Sequence, residues 1–304
     1  MRPAGYVRRR LPLALAQVAA VASAVFLLAE VLPGDAAVVL AGDDPDPERI
    51  VRIRASLRLD RPLPERFAEW AGGLARGDFG ESLVSGRPVL DLVLDALWPT
   101  VVLASATLAV LVPLSVWAGV TAALHEGGRF DRCLTAVGVA LYAVPEFALA
   151  VVLIVAFGGL LPVTALGGLT PATLVLPVAV LVARPLCSLS RLVRAGMIDA
   201  LASGYAVHAS RLGVPERRVR YVHALPNAVA PAVQQLARTV DWLLGGVIIV
   251  EAVFVIPGLG TLLVDAVADR DLPVLQGLAV LFAATTVLVN LAADLAAFRS
   301  APRA

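Results

Sequence analysis

The sequence contains no lysine and only two cysteines, and charged residues occupy just 16% of its 304 positions. Ordinary soluble domains carry about 25% charged residues, so this composition excludes a typical soluble protein. Cys133 and Cys187 provide neither a disulfide framework nor the spacing of a metal site. All 25 basic residues are arginine, which we attribute to coding composition.

The chain also lacks the motifs of an enzyme. It has no GxxxxGK[ST] phosphate loop, no cluster of His, Cys and Asp at metal-binding spacing, and no nucleophile paired with a base. Its three histidines fall in polar segments between the apolar runs, where solvated surface is expected: His125, His208 and His223. We predict a protein with no catalytic site, metal or cofactor of its own.

Apolar residues dominate what is present. They make up 59% of the chain, with a mean hydropathy of +0.84, against about 45–50% in soluble domains. They form six runs, and about 20 apolar residues are enough for a helix to cross a bilayer. We predict an all-α integral membrane protein with six transmembrane helices, at residues 11–29, 100–124, 134–157, 173–192, 229–253 and 272–297.

The arginines indicate how these helices are oriented. Placing both termini in the cytoplasm puts 14 arginines inside and nine outside, and eight of those nine lie in one long loop that counts for less. The first run follows a basic start, as in a signal peptide, but it is longer than the about 7–15 apolar residues of a signal core. We expect a retained first helix, with a cleaved signal peptide as the alternative.

A polar segment, residues 33–99, separates the first two predicted helices. It carries twelve acidic residues and eight arginines and is too charged to enter lipid. The acidic stretch 43–48 is a capped helix start, and Ile50, Ile53 and Leu57 follow at helical spacing. The sequence predicts an external loop that contains short amphipathic helices.

The segment 204–226 is the longest well-charged interval in the second half of the chain. Apolar and aromatic residues at three- and four-residue spacing predict a short helix over 205–212 with one mildly apolar face, made of Tyr205, His208, Ala209 and Leu212. Gly213 and Pro215 end that helix. Composition alone describes an ordinary basic cytoplasmic loop.

The spacing inside this segment is more specific, because Gly213 is followed after nine residues by His223-Ala224-Leu225-Pro226. This frame resembles the EAA loop of bacterial ABC importer membrane subunits: Glu-Ala-Ala, three residues, Gly, nine residues, Ile, any residue, Leu-Pro. The opening positions hold Val207, His208 and Ala209, and the missing Glu and the His-Ala-Leu ending are similar to the dipeptide, oligopeptide and nickel branch. Residues 77–89 and 251–260 also resemble that branch, and the likeness covers residues 76–297.

The resemblance implies a type I ABC importer permease fold and a permease subunit that moves peptides, or nickel, by alternating access. The implied partners are a second homologous permease in a heterodimer, two ABC ATPases that bind ATP and Mg²⁺, an extracytoplasmic solute-binding protein and membrane lipid, with no nucleic acid. The implied domains are a helix and loop at 1–98, a permease core at 99–298 with a coupling loop at about 199–226, and a cytoplasmic tail at 299–304. The residues that it assigns to ATPase coupling are Tyr205, Val207, His208, Ala209, Arg211, Leu212, Gly213, Leu225 and Pro226.

Polar residues inside the predicted spans are costly in hydrocarbon and usually face protein or water. Gln234, Arg238 and Asp241 share one stripe of the fifth span, where Arg238 and Asp241 either neutralise each other structurally or line the substrate path. Glu146, in the third span, is a path residue or a buried hydrogen-bonded carboxyl. These four are our candidates for the translocation path. Arg184 is expected to snorkel or pair near the inner surface.

The end of the fifth span holds Glu251, followed by Pro257, Gly258 and Gly260. The proline and glycines predict a non-helical re-entry that must be covered by protein or water, and the resemblance places it near the outer mouth of the path. The residues alone leave two other functions open. One is an ion-gradient-driven transporter or channel that uses the charged residues of the spans as relay groups. The other is a non-transporting scaffold.

Overall fold

The computed structural model describes residues 3–31, 47–48, 51, 54, 60–165 and 168–300. Within these ranges the chain is helical apart from turns and one isolated antiparallel bridge between Glu81 and Pro88. The side chains of some helical residues, Asp241 and residues 292–300 among them, are not described. The predicted all-α fold class is confirmed.

Long apolar helices alternate with short connecting ones along the chain. In order they are α1 (Pro3–Val31), α2 (Leu63–Ala75), α3 (Val89–Leu124), α4 (Arg129–Ala143), α5 (Glu146–Phe157), α6 (Pro171–Ala202), α7 (Gly204–Arg211), α8 (Glu216–Arg218), a π-helix (Val219–Ala224), α9 (Leu225–Ala228), α10 (Ala230–Phe254), α11 (Leu259–Ala268) and α12 (Leu272–Ser300).

Each of the six predicted spans falls on helix. Among the described residues, α3, α6 and the Leu272–Leu291 part of α12 are long and apolar enough to cross a membrane, and two broken helix pairs raise the number to five if each pair is one span. Helix α1 contains a shorter apolar stretch, Pro12–Leu28. The count of six spans stays a prediction.

The third predicted span consists of two helices, because α4 and α5 meet at a bend of 109°. Val144 is extended, with φ −88° and ψ 126°, and Pro145 follows as the N-cap of α5. Proline has no N–H to continue a helix and disfavours helical geometry in the residue before it. Pro145 therefore divides the third predicted span into two helices.

Several helices extend beyond the predicted spans, and α3 and α6 do so by about ten residues. Helix α3 begins at Val89, so the polar segment does not extend to residue 99, and Pro99 lies inside the helix. Asp91 in the first turn of α3 suits the positive end of a helix dipole. Helix α6 continues past residue 192 to Ala202. Hydropathy marks the apolar part of each helix, whereas the backbone continues the helix into polar sequence.

One compact unit consists of Met1–Trp98 and Pro257–Leu288. Its core contains Val89 of α3 and Leu278 of α12. The two helices come close together there because residue 277 is glycine; a Cβ at that position would lie 2.7 Å from Cγ1 of Val89. The buried carboxylate of Asp271 accepts hydrogen bonds from the Ser82 hydroxyl at 2.5 Å and from the Leu83 N–H at 3.2 Å. The 77–89 segment is thus fixed to the start of α12.

Helix α2 is amphipathic, as predicted for this polar segment. Phe67 and Trp70 lie one turn apart on its partly buried side, and their ring centroids are 5.3 Å and 5.2 Å from that of Phe26 in α1. The predicted capped helix start at 43–48 and the apolar residues after it lie almost entirely outside the described residues.

The other compact unit consists of Pro99–Ile256 and Val289–Ala304, and α6 is its central helix. Helix α6 packs against α4, α5, α7, α9 and α10. Leu181, Val193 and Met197 of α6 are fully buried in the apolar core of this unit. Since α7 follows α6 after a single residue, the segment predicted to act in coupling begins at the end of the most heavily packed helix.

Candidate functional site

The predicted coupling helix is present as α7, Gly204–Arg211, within one residue of the predicted bounds. Ser203, with φ −69° and ψ 152°, is extended and separates α7 from α6. One non-helical residue changes the chain direction between two helices without adding a flexible loop. The position of α7 is therefore set directly by the end of α6.

The end of α7 explains why residue 213 is glycine. Gly213 has φ +80°, the left-handed conformation that glycine adopts without strain. The Val214 N–H donates to the Ala209 carbonyl at 3.2 Å and the Gly213 N–H to the Ser210 carbonyl at 3.1 Å, which is a Schellman motif. A Cβ at Gly213 would meet no atom of the described residues within 4 Å. Within this chain, the need for glycine is conformational rather than steric.

The face of α7 that packs against the rest of the chain differs from the mildly apolar face that the sequence shows. Ala206 is 1% exposed and Ala209 is half-buried, whereas Tyr205 is 45% and Leu212 70% exposed. The small Ala206 side chain lets the helix backbone come close to its neighbours, so the predicted face of Tyr205 and Leu212 points away. Val207, His208 and Arg211 are also exposed.

After α7 the chain returns through α8, the π-helix and α9. The Leu225 N–H donates to the Arg220 carbonyl, five residues back, which closes the wide turn. Pro226 has no N–H, and its ring would conflict with the Val222 carbonyl in a regular α-helix, so a widened turn accommodates it. The sequence analysis did not predict this π-helix, and Pro226 is the signal that could have indicated it.

One amide connects the outgoing and returning parts of the segment. The Asn227 side-chain N–H₂ donates to the Tyr205 hydroxyl at 3.1 Å and to the His223 carbonyl at 3.0 Å. Leu225 is half-buried, while Pro226 is exposed. Of the residues predicted to act in coupling, Tyr205 and the 223–226 stretch are thus brought together, and the exposed residues of α7 lie on the outside.

Glycines bring two other elements into backbone contact with α6. At Gly119 of α3, a Cβ would lie 2.6 Å from the Ser190 carbonyl oxygen, and at Gly196 it would collide with the carbonyl of Ala228 in α9. Small residues at helix interfaces permit this close approach in membranes. Both contacts lie in the part of α6 that leads to α7.

A bidentate ion pair fixes α4 to the same part of α6. Arg194 Nε is 2.6 Å from Asp131 Oδ1 and Arg194 Nη2 is 2.8 Å from Asp131 Oδ2. Asp131 is buried, and its Oδ2 also accepts the Gly127 N–H at 2.9 Å. Glu126 lies 3.6 Å from the Arg194 Nη2. The sequence analysis missed this pair, because 63 residues separate its members.

A second ion pair lies at the bend between α4 and α5. Nη1 of Arg184 in α6 is 3.2 Å from Oε1 of Glu146, and Glu146 is the first residue of α5. The guanidinium carbon of Arg184 lies 4.4 Å from the centroid of the Tyr142 ring. This contact pairs Arg184 and gives Glu146 a hydrogen bond, while the path role of Glu146 and the position of Arg184 near the inner surface stay predictions.

The stripe on α10 is only partly described. Arg238 Nε donates to Gln235 Oε1 at 3.1 Å, Arg238 and Gln234 are exposed, and the side chain of Asp241 lies outside the described residues. The Arg238–Asp241 pair and the path role of Gln234 stay predictions. The described ion pairs do not join Glu146 to this stripe; Glu146 pairs with Arg184.

The turn after α10 contains most of the residues predicted for it. Glu251 is fully buried and its Oε1 accepts the Thr100 hydroxyl at 2.6 Å. Helix α10 ends at Phe254, and its C-cap Val255 has a φ of +53°, which is rare for a β-branched residue. The Ile256 N–H donates to the Glu251 carbonyl at 2.9 Å. Pro257 and Gly258 lie in the break, as predicted.

The prediction that Gly260 is part of the non-helical turn is wrong. Helix α11 begins at Leu259, so Gly260 lies in its first turn and is buried. Gly258 already provides the extended residue that starts the new helix, with φ −107° and ψ −175°, and no further break is needed. Among the described residues, no group of three or more His, Cys, Asp or Glu side chains is placed to hold a metal ion.

The apolar helices with internally paired charges define an integral membrane protein. Residues 112–304 match the family described as "Binding-protein-dependent transport system inner membrane component", and residues 5–104 match its N-terminal counterpart. The chain therefore belongs to this family of inner membrane transport components, as a permease of the peptide branch of ABC importers.

Two relatives illustrate the similarity. The chain is 35% identical over 300 residues, 96% of each chain, to the "Probable peptide ABC transporter permease protein y4tP" of Sinorhizobium fredii. It is 37% identical over 292 residues, 95% of each chain, to the "Glutathione transport system permease protein GsiC" of Escherichia coli K12. Both matches run through the coupling segment and the path candidates.

The Asp131–Arg194 pair gives a stability prediction. Asp131→Asn leaves the guanidinium of Arg194 without its bidentate acceptor, so we expect a loss of about 1–3 kcal/mol in the free energy of unfolding. Thermal unfolding of the purified protein in detergent measures this loss. The exposed Arg87–Asp95 pair is the matched control, since Asp95→Asn should cost only about 0–1 kcal/mol. Equal effects of the two variants would contradict the structural role of Asp131.

Proposed function

We propose that this chain imports peptides across the inner membrane as one of two permeases, and that separate ABC ATPase subunits drive it through α7. The observation that carries the proposal is the arrangement of α7: it is held at the end of the central helix α6, with Tyr205, Val207 and Leu212 exposed. The peptide substrate is supported by the printed names of the relatives, which mention peptides and glutathione.

The exposed side of α7 is the proposed contact with an ATPase. Large apolar residues that stay exposed in clusters mark interaction sites, and Leu212 at 70% exposure is the most accessible of them. Along the returning chain, Tyr221 and Val222 are exposed as well, beside an open depression lined by Arg217 and Arg218. An ATPase surface with apolar and acidic groups would complement this segment.

Displacement of α7 would reach the membrane helices through α6. Three contacts near the end of α6 tie it to other helices. Gly119 of α3 and Asp131 of α4 contact α6, and Gly196 of α6 contacts α9. Since packed helices resist deformation, these elements would move with α6 when the ATPases close. The path would then open alternately to the two sides of the membrane.

The proposed transporter contains further subunits and a substrate path. ATP and Mg²⁺ would bind to the ATPases, a solute-binding protein would deliver the substrate, and the second permease would be a homologue in a heterodimer, with both termini of this chain in the cytoplasm. Gln234, Arg238 and Asp241 would line the path with Glu146, and the turn at Glu251, Pro257 and Gly258 would lie near its outer mouth. Family membership favours this importer over a transporter driven by an ion gradient.

Substitution of Gly213 tests the coupling role. Gly213→Val places a β-branched residue at φ +80°, which unwinds the end of α7, so we expect uptake of labelled tripeptides to fall at least about tenfold. Gly213→Asn has a side chain of similar size that tolerates the left-handed conformation, and it should retain most of the uptake. Uptake is measured in a strain that lacks the chromosomal copy.

The amount of each variant in the membrane is compared by immunoblot, since uncoupling should leave insertion intact. Unchanged uptake by Gly213→Val would contradict the coupling role. Nickel uptake in the same strain provides the substrate control: transport of nickel and not of tripeptides would contradict the peptide proposal while leaving the coupling role untouched.

A further inference from the structure

The ion pair of Arg184 and Glu146 lies deep within a predicted span. Arg184 is 11 residues from the start of that predicted span at residue 173 and eight from its end at residue 192, which corresponds to about 16 Å and about 12 Å along α6. The hydrocarbon core of a bilayer is about 30 Å thick. An arginine at this depth is costly against lipid, so it faces protein or water.

The Arg184 pair differs from the Arg194 pair of the same helix. Arg194 holds Asp131 through two short hydrogen bonds, whereas Arg184 contacts Glu146 through Nη1 alone, at 3.2 Å. The side chain of Arg184 is 37% exposed, more than that of Arg194 at 28%, although Arg184 lies inside the predicted span and Arg194 beyond its end. Glu146 holds this guanidinium at one nitrogen and Tyr142 is its other described neighbour, so its exposed part has room for a second carboxylate.

The second acceptor that suits this geometry is a carboxylate. The guanidinium group is planar and presents paired N–H donors that match the two oxygens of a carboxylate. The guanidinium carbon of Arg184 lies over the Tyr142 ring, so that ring covers part of the group and a ligand would bind at the part that stays exposed. Every peptide with a free C-terminus carries one α-carboxylate, whatever its side chains.

We propose that Arg184 is a substrate-binding residue of the translocation path, that it binds the C-terminal carboxylate of a peptide, and that Glu146 occupies the guanidinium when the path is empty. This proposal rests on the proposed function in peptide import. Glu146 would keep the deep charge neutralised between transport cycles, and the peptide carboxylate would take its place at Arg184. The chain would thus select peptides by their free C-terminus.

The test compares peptides that differ only at the C-terminus. The complete transporter, with its partner subunits and binding protein, is reconstituted in vesicles and given random tripeptides with free or amidated C-termini. The concentrations are set so that both pools load the binding protein equally, and uptake is measured by mass spectrometry. We expect the wild-type transporter to prefer free tripeptides by about tenfold or more, the difference that one charge-assisted contact provides.

Arg184→Gln should bring the ratio of free to amidated uptake close to one, because only the carboxylate contact is lost. Arg184→Lys, which keeps the charge but not the paired donors, should give an intermediate ratio and serves if Arg184→Gln does not insert. Arg191→Gln removes an exposed charge two turns further along the same helix and should leave the ratio at the wild-type value.

An unchanged ratio in both Arg184 variants, with lower uptake of both pools, would overturn the proposal and make the pair purely structural. A wild-type transporter that takes up both pools equally would overturn it too. A wild-type transporter that takes up neither pool would instead contradict the proposed peptide import, and the Arg184 proposal with it.

Discussion

The structure depends on how closely α6 is held by its neighbours in the stretch that leads to α7. Gly119 and Gly196 allow backbone contact with α3 and α9, and the bidentate Asp131–Arg194 pair fixes α4. Apolar burial alone distinguishes poorly between helix positions in lipid, so close glycine contacts and a paired charge determine the arrangement. A helix fixed at three places can transmit a displacement at its end, whereas a loosely packed one would absorb it.

The two arginine–carboxylate pairs of α6 differ in how fully they are satisfied. Asp131 and Arg194 satisfy each other fully, which suits a structural role, while Arg184 and Glu146 make one contact at a proline bend and leave the guanidinium accessible. Such an arrangement is expensive unless the accessible side meets protein or water. Helix α6 thus carries two arginines in such pairs. Arg194 serves packing near α7, and Arg184, inside the predicted span, is available for substrate.

Much of this could be predicted from local patterns. The apolar runs located the long helices, and Gly213 with Pro215 located the end of α7, because turn chemistry is encoded in adjacent residues. The buried face of α7 could not be predicted, since it depends on the small Ala206 meeting a distant neighbour. Asp131 and Arg194, and the left-handed Val255 that ends α10, were missed for the same reason: only tertiary packing gives these residues their roles.

The central claim, that an ATP-hydrolysing subunit contacts α7, is tested most directly by photo-crosslinking in intact membranes. A photoreactive amino acid at Leu212, which is 70% exposed, should form an adduct with an ABC ATPase subunit. The same amino acid at Ala206, which is 1% exposed, should form none. Absence of an ATPase adduct from Leu212, with the protein present at its normal level, would contradict the account.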